Sequence, residues 1–265
     1  MELNTIDNKK LLEDFAKSFG RAAFDKEPQL HRQVEDMKNE ILKRMQSNII
    51  TTTDLKYSLA DEYVIIGNEN VESIFTALKN KLNIVTPITK KKSATIISII
   101  DSSGSMGSFE KYLSQCVSLW TEKLIELKYE KVNHRFISHH TEAQEVHRDV
   151  FFVKGESGGT IISSGLNKAN ERINYIDYEN QDIYVFQYSD GDNLTSDNDV
   201  SVRVLKDILN KVNQFEYVEI NQYSRSSTIM SAYRNVQNSK FNAHVLREKN
   251  DVLKTVESIS SAIMF

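Results

Sequence analysis

Strands and helices alternate along the chain from about residue 94, as the pattern of apolar positions shows. Residues 94–100, Ala-Thr-Ile-Ile-Ser-Ile-Ile, form a continuous β-branched run that is typical of a strand buried on both faces. Similar runs predict strands at 132–138, 146–153, 182–188, 215–220 and 243–246. Helical spacing predicts helices at 109–127, 161–176, 202–212 and 251–263. The alternation predicts an α/β, Rossmann-like fold, in which helices flank a mostly parallel central sheet.

The first 90 residues follow a different pattern, highly charged and mainly helical. Apolar residues recur every three or four positions in 11–19 and again in 34–45, which predicts two amphipathic helices. Pro28 stands where a first helical residue would. A short strand is predicted at 63–66 and a third helix at 71–82. We therefore predict a helical N-terminal region, residues 1–90, and an α/β domain, residues 91–265.

Oxygen-bearing side chains cluster in three loops of the α/β domain. Asp101, Ser103 and Ser105 alternate directly after the first buried strand. Residues 189–193, Ser-Asp-Gly-Asp-Asn, follow the strand 182–188, and Thr160 stands where a helix begins. Loops at the carboxyl ends of parallel strands share one edge of the sheet. Carboxylate and hydroxyl oxygens are hard ligands, so this edge is suited to Mg²⁺ or Mn²⁺ rather than zinc.

The order Asp-x-Ser-x-Ser, Gly-Gly-Thr and Ser-Asp-Gly resembles the metal-ion-dependent adhesion site of von Willebrand factor A domains. The resemblance implies five ligands of one Mg²⁺ ion, with Mn²⁺ as a substitute: Asp101, Ser103, Ser105, Thr160 and Asp190. In such sites an acidic side chain of a protein partner fills the open coordination position. The resemblance thus implies a metal-dependent binding module and not an enzyme. The residues themselves offer no evident second metal ion or general base.

Longer blocks resemble the bacterial YeaH/YhbH family of sporulation- and stress-associated proteins. The resemblance covers roughly residues 90–258, and the blocks lie at 101–112, 152–160, 189–198 and 221–233. It implies a cytoplasmic protein encoded near a PrkA-type serine kinase and a SpoVR-type protein. The resemblance therefore implies a PrkA-type serine kinase or a SpoVR-type protein as the partner.

Five further residues are expected to form a partner-binding rim around the metal ion. His139 and His140 end the second predicted strand, at the same edge of the sheet as the oxygen ligands. Asp192, Tyr223 and Arg225 lie in loops that follow neighbouring strands. The Arg225 guanidinium would contact a carboxylate or a phosphate of the partner.

Other interpretations of these motifs stay open. Ser and Asp residues after strands are common in turns and helix caps, and Asp192 and Asp197 are typical of a solvated acidic turn. Residues 155–159, Gly-Glu-Ser-Gly-Gly, match the Gly-x-Ser-x-Gly pattern of serine hydrolases, with Ser157 as the nucleophile. Asp190 and His244 follow in the order that such hydrolases use. A serine hydrolase is therefore the alternative function.

Composition narrows the classes of protein further. The net charge of −4 and pI of about 5.9 give no basic field for nucleic acid. No apolar run approaches the ~18 residues of a membrane helix, and the first residues lack a signal pattern. The single cysteine, Cys116, lies on the apolar stripe of a helix and predicts a buried structural thiol. We expect a cytoplasmic protein that acts without a membrane or nucleic acid.

Overall fold

The structure, a computed structural model, describes residues 28–46, 67–152, 158–177 and 180–264, together with residues 10, 11 and 14. The chain divides into two compact units, Met1–Val85 and Thr86–Phe265. This division falls a few residues before the one that the sequence pattern predicts. Most of the helix predicted at 11–19 and the strand predicted at 63–66 lie outside the described residues.

Two helices of the first unit are described, α1 (Pro28–Gln46) and α2 (Gly67–Lys81). Proline is tolerated at the start of α1 because the first N–H of a helix has no partner within the helix. Val34 and Ile41 are buried in α1, and Phe75 and Leu78 in α2, while their polar neighbours are exposed. The predicted helices at 34–45 and 71–82 are therefore confirmed.

The second unit is built on a six-stranded sheet. Its strands are β1 (Lys91–Asp101), β2 (Tyr129–His139), β3 (Ala143–Val146), β4 (Asp182–Ser189), β5 (Gln214–Ile220) and β6 (Phe241–Leu246). The described helices of this unit are α3 (Ser108–Lys128), α4 (Arg148–Phe151), α5 (Ile162–Ile173), α6 (Asn198–Leu209), α7 (Thr228–Tyr233) and α8 (Asp251–Met264). A 3₁₀ turn, Thr195–Asp197, leads into α6.

The strand order is β3-β2-β1-β4-β5-β6, and every neighbouring pair is parallel except β2 and β3. The predicted mostly parallel sheet is thus confirmed. The strand predicted at 146–153 is wrong, because β3 ends at Val146 and residues 148–151 form α4. The apolar side chains of Phe151 and Phe152 are buried by aromatic packing instead, with the Phe151 ring centroid 5.0 Å from that of Phe136.

The topology places a crevice at the ends of β1 and β4. The chain passes from β1 to β2 on one side and later crosses to β4 on the other side of β1. Open α/β sheets bind ligands outside the carboxyl ends of the strands where the order reverses in this way. Asp101 ends β1 and Ser189 ends β4, so both residues lie at this switch point.

Apolar cores fix the strand ends in place. The core of one sheet face joins β1, β4 and β5 to α5, α6 and α7, through residues that include Ile97, Ile99, Leu166, Ile183, Val185, Leu205, Ile208, Phe215 and Tyr233. Each such side chain contributes roughly 1.5–3 kcal/mol when fully buried. Helix α3 packs with α8, and Trp120 and Cys116 of α3 are buried. Cys116 is 1% exposed, which confirms the predicted burial of its thiol, and this burial raises the pKa of Cys116 to about 12.

Within the described parts of the chain, no helix has both the length and the apolar character that a membrane crossing requires.

Candidate metal-binding site

The loop after β1 gathers one carboxylate and two hydroxyls. Asp101 is fully buried, and its Oδ1 accepts a hydrogen bond of 2.8 Å from the Ser103 N–H. The hydroxyl oxygens of Ser103 and Ser105 lie 3.1 Å apart. The Ser102 N–H donates to the His139 carbonyl at 2.7 Å, which anchors this loop to β2. The alternate residues of the motif, Asp101, Ser103 and Ser105, therefore lie close together.

Asp190 lies in the loop after β4, close to Asp101. The hydroxyl of Ser189, the residue before it, donates to Asp101 Oδ2 at 3.3 Å. Burial raises the pKa of Asp101, a nearby His139 opposes that rise, and the negative charge of Asp190 adds to it. The two carboxylates are thus near enough to repel each other. A cation between them would relieve both the repulsion and the cost of burying Asp101.

Thr160 is held in place by the loop that carries Asp190. The Leu194 N–H donates to the Thr160 carbonyl at 3.2 Å, and the Ile162 N–H donates to Asn193 Oδ1 at 3.0 Å. Asp197 accepts from both the N–H and the hydroxyl of Ser163, in the first turn of α5. The interpretation of Asp197 as part of a solvated acidic turn is wrong, because it is buried and caps α5.

The three loops line one cleft of about 550 Å³. Its walls include Ser103, Ser105, Thr141, Thr160, Asp192 and Leu194. Ile161, Asn193 and the glycines at 104, 158 and 159 complete the lining. The cleft is therefore rich in hydroxyls, and Asp101 and Asp190 stand two residues before its lining residues Ser103 and Asp192.

The donor set fits a hard divalent cation. It offers two carboxylates and three hydroxyls, which are oxygen ligands of the kind that Mg²⁺ and Mn²⁺ prefer. No group of three or more His, Cys, Asp and Glu side chains is placed to hold a metal ion in the described residues. A cation at this edge would therefore draw on the hydroxyls of Ser103, Ser105 and Thr160 as well as on the two aspartates.

Three expected rim residues lie together in the structure. The Arg225 guanidinium is 5.2 Å from the centroid of the Tyr223 ring, and Tyr223 is 69% exposed. Partial burial and the charge of Asp190 raise the pKa of Asp192, whereas Arg225 acts to lower it. Asp192, Tyr223 and Arg225 are thus neighbours on the solvent side of the site.

The two histidines have different surroundings. The expectation that His139 lies on the rim is wrong, because its side chain is 0% exposed. It pairs with Asp101 across the sheet and packs on Gly165, where an added Cβ would lie 2.7 Å from His139 Cδ2. Neither of its ring nitrogens has a hydrogen-bond partner among the described residues. His140 is half-buried beside Gly158, with its Nδ1 2.9 Å from Thr141 Oγ1.

Two residues near the site, Lys111 and Glu219, were not predicted from the sequence. Burial lowers the pKa of Lys111, and the charge of Asp101 opposes this change, so the ammonium group lies in the field of that carboxylate. Glu219 is buried under Gly191, the residue after Asp190. Two glutamates, Glu216 and Glu219, in the otherwise apolar run 215–220 were the available signal, and it does not by itself single out Glu219.

The hydrolase alternative gains no support from the described residues. Ser157 lies outside them. His244 Nε2 lies 2.6 Å from Glu216 Oε2, so its carboxylate partner is Glu216 and not Asp190. The pairing of His244 with Asp190 that the residue order suggested is therefore not found among the described residues.

Known proteins resemble this chain in fold and in sequence. The D319A mutant of the PilB minor pilin from Streptococcus sanguinis has a TM-score of 0.51 at 10% identity, covering 67% of this chain and 62% of that one, and this likeness concerns the fold alone. A UPF0229 protein of Bacillus velezensis is 47% identical over 173 residues, covering 64% of this chain and 44% of the relative. A UPF0229 protein of Halalkalibacterium halodurans is 44% identical over 172 residues, again covering 64% and 44%.

The chain thus spans less than half the length of these curated relatives. The match to UPF0229 proteins is consistent with the resemblance of the sequence blocks to the YeaH/YhbH family. A family profile matches residues 78–261, more than half of the chain, and the chain therefore belongs to the family described as Protein of unknown function (DUF444).

Proposed function

We propose that residues 91–265 form a von Willebrand factor A-like module that binds a protein partner through Mg²⁺, or Mn²⁺ in its place. The observation that carries this proposal is the convergence of three loops at the switch point of the sheet. There Ser103, Ser105 and Thr160 line a cleft next to the buried carboxylate of Asp101. A buried carboxylate with a raised pKa and hydroxyl neighbours is a site suited to a hard cation.

The donor set favours binding over catalysis. A bound ion would supply an electrostatic clamp for an acidic side chain of the partner. Two of its five donors are carboxylates, which balance the charge of a divalent ion, and three are neutral hydroxyls, which add no further negative charge to oppose an acidic ligand. The Ser103 N–H and the Ser189 hydroxyl hydrogen-bond to the two oxygens of Asp101 and fix its carboxylate, which would determine the position of the ion. We therefore propose a binding protein and not an enzyme.

The partner is proposed to be a cytoplasmic protein of a bacterial stress or sporulation pathway. The resemblance to the YeaH/YhbH family supports a PrkA-type serine kinase, or a SpoVR-type protein, in this role. The exposed rim of Asp192, Tyr223 and Arg225 would contact the partner beside the ion. These assignments concern the whole protein and rest on the sequence blocks quoted above.

A titration with Mn²⁺, followed by electron paramagnetic resonance, tests the metal site directly. We expect one bound ion per chain, and binding of a purified PrkA-type kinase that EDTA reverses and Mg²⁺ restores. Thr160→Ala is expected to weaken Mn²⁺ binding by at least about tenfold. Thr141→Ala, which removes another hydroxyl from the lining of the same cleft, is the matched control and should bind normally. A kinase complex that survives EDTA would overturn the proposal.

A further inference from the structure

We propose that Glu219 is a positioning residue that joins the metal-ligand loop after β4 to the rim loop, residues 221–227, so that cation binding and partner contact act as one unit. This inference rests on the proposed function. Glu219 itself touches neither the cleft nor the solvent, since it is 2% exposed. Its role would therefore be exerted through the backbone segments that it holds.

The Glu219 carboxylate is surrounded by hydrogen-bond donors. Its Oε2 accepts from the Ser227 hydroxyl at 2.7 Å and from the Tyr217 hydroxyl at 3.1 Å. Its Oε1 accepts from the Asn221 amide at 3.1 Å. Three donors directed at one buried carboxylate fix its position, and removal of that acceptor would leave buried donors unpaired.

The backbone beside Asp190 rests directly on this carboxylate. Gly191 has a φ of +92°, and a Cβ built there would lie 2.7 Å from Glu219 Oε2 and 2.8 Å from Ser227 Oγ. The Ser227 hydroxyl also lies 3.2 Å from the Gly191 carbonyl oxygen. Only a glycine accommodates both the left-handed conformation and this close approach. The position of the Asp190 side chain therefore depends on where Glu219 holds Gly191.

The same carboxylate reaches the rim loop through Asn221. The Asn221 amide nitrogen donates both to Glu219 and, at 2.8 Å, to the Arg225 carbonyl oxygen. The Arg225 N–H donates back to Asn221 Oδ1 at 2.8 Å. Both backbone polar groups of Arg225 are thus held by one side chain that Glu219 orients.

Hydrogen bonds connect the two ends of this assembly. On the metal side, the Gly191 N–H donates to the Ser189 hydroxyl at 3.1 Å, and that hydroxyl donates to Asp101. Ser227 lies between Gly191 and Glu219, so a path runs from Asp101 through Ser189, Gly191 and Ser227 to Glu219, and from there to the rim. The buried negative charge of Glu219 would also attract a cation held by Asp101 and Asp190, since the protein interior screens charges weakly.

The same strand supplies a matched control, Glu216. It is 0% exposed, and its Oε1 accepts from the Gln214 amide at 2.9 Å and the Asn242 amide at 3.0 Å, while Oε2 contacts His244. The two glutamates are three positions apart on β5, so their side chains point to opposite faces of the sheet. Glu216 thus matches Glu219 in burial and in hydrogen bonding but contacts neither Gly191 nor the rim loop.

The test compares Glu219→Gln with Glu216→Gln in the full chain. We expect both variants to lose stability, but only Glu219→Gln to weaken Mn²⁺ binding, by roughly 10- to 100-fold as outer-shell partners usually do. Trypsin cleavage after Arg225, identified by mass spectrometry, should also accelerate in Glu219→Gln alone, because the rim loop loses its anchor. Ser227→Ala, with Ser226→Ala as its control, gives the same comparison if Glu219→Gln fails to fold.

Two results would overturn the inference. One is a Glu219→Gln protein, or its Ser227→Ala replacement, with wild-type Mn²⁺ affinity and wild-type cleavage after Arg225. The other is an equal loss of Mn²⁺ affinity in Glu216→Gln, which would show a general effect of destabilisation. A wild-type protein that binds no Mn²⁺ would instead overturn the proposed function, and the cleavage assay would still report whether Glu219 anchors the rim loop.

Discussion

Asp182 and Asp101 lie at opposite ends of the parallel sheet and have contrasting environments. Asp182 begins β4, where it accepts hydrogen bonds from Lys91 Nζ at 2.8 Å, from Asn213 Nδ2 at 2.9 Å and from the Tyr129 hydroxyl. Although burial acts to raise the pKa of Asp182, the hydrogen bonds from Lys91 and Tyr129 outweigh it and hold the pKa below its usual range.

Asp101, at the end of β1, has neutral hydrogen-bond partners, the Ser103 N–H and the Ser189 hydroxyl. Burial therefore dominates and raises the pKa of its carboxyl group. The charge of Asp182 is balanced by Lys91 within the protein, whereas the charge of Asp101 would be stabilised most by a cation bound from solvent. Polarity at a sheet end thus becomes informative about binding only when its charge balance is known.

The largest expected effect separates the two aspartates by metal binding. Asp101→Ala should reduce Mn²⁺ affinity by about 100-fold or more, because it removes a buried ligand with both oxygens oriented. Its thermal stability should stay the same or rise, since a costly buried charge is lost. Asp182→Ala should bind Mn²⁺ as the wild type does. Equal affinity of Asp101→Ala and wild type in calorimetry would remove the contrast.

Stability should show the opposite order. Asp182→Asn removes the charge that Lys91 and Tyr129 bind, and should lower the free energy of unfolding by about 1.5–3 kcal/mol, as for hydrogen bonds to charged groups. Urea denaturation at neutral pH measures this effect. Asp101→Asn is the paired control, for which we expect a smaller loss or none. A larger loss in Asp101→Asn would contradict the assignment of Asp182 as the structural member of the pair.

Acid should erase the contribution of Asp182. A group whose pKa is lowered by folding stabilises the protein above its unfolded pKa and loses that contribution as the pH falls through its folded pKa. For Asp182 the loss begins near pH 3.8, the usual pKa of an aspartate carboxyl group, and grows below it. The difference in stability between wild type and Asp182→Asn should therefore shrink below that pH in urea titrations. A difference that stays constant with pH would contradict this origin.

The smallest expected effect is that of replacing Arg225, a positively charged side chain on the rim. Arg225 affects the ionisation of Asp192, yet it is exposed, unlike the buried cluster around Asp182. Arg225→Ala should weaken partner binding by about 1 kcal/mol or less and leave Mn²⁺ affinity unchanged. Arg203→Ala, an exposed arginine on α6, is the control that should alter neither. Loss of Mn²⁺ binding in Arg225→Ala would show that the rim shapes the metal site more strongly than expected.

The sequence predicted the strand ends well because buried parallel strands are long apolar runs. Asp101 and Asp190 follow such runs, so their shared edge could be inferred from topology alone. His139 could not be placed in the same way, since its burial depends on the close approach of Gly165 from a helix much later in the chain. The burial and capping role of Asp197 could not be predicted for a similar reason, because they depend on Ser163 of another element.

Local patterns also mislead where an apolar run is short. The run at 146–153 was expected to be a strand, but the fold buries Phe151 and Phe152 against other aromatic rings. Glu219 shows the limit for charged residues. The apolar residues around Glu219 show that a charge at this position is unusual. They do not show its role, because its partners Gly191 and Ser227 come from two other loops.

The attachment of the Thr160 segment to the loop after β4 has a kinetic consequence. The amide protons of Ile162 and Ser163 are bound by Asn193 and Asp197, whose side chains come from some thirty residues further along the chain. These two amides should exchange with deuterated solvent only when both loops separate. The cleft is in this sense assembled before any ligand arrives, so little ordering entropy remains to be lost on association. Capture of the cation should then be limited by its dehydration and not by loop closure.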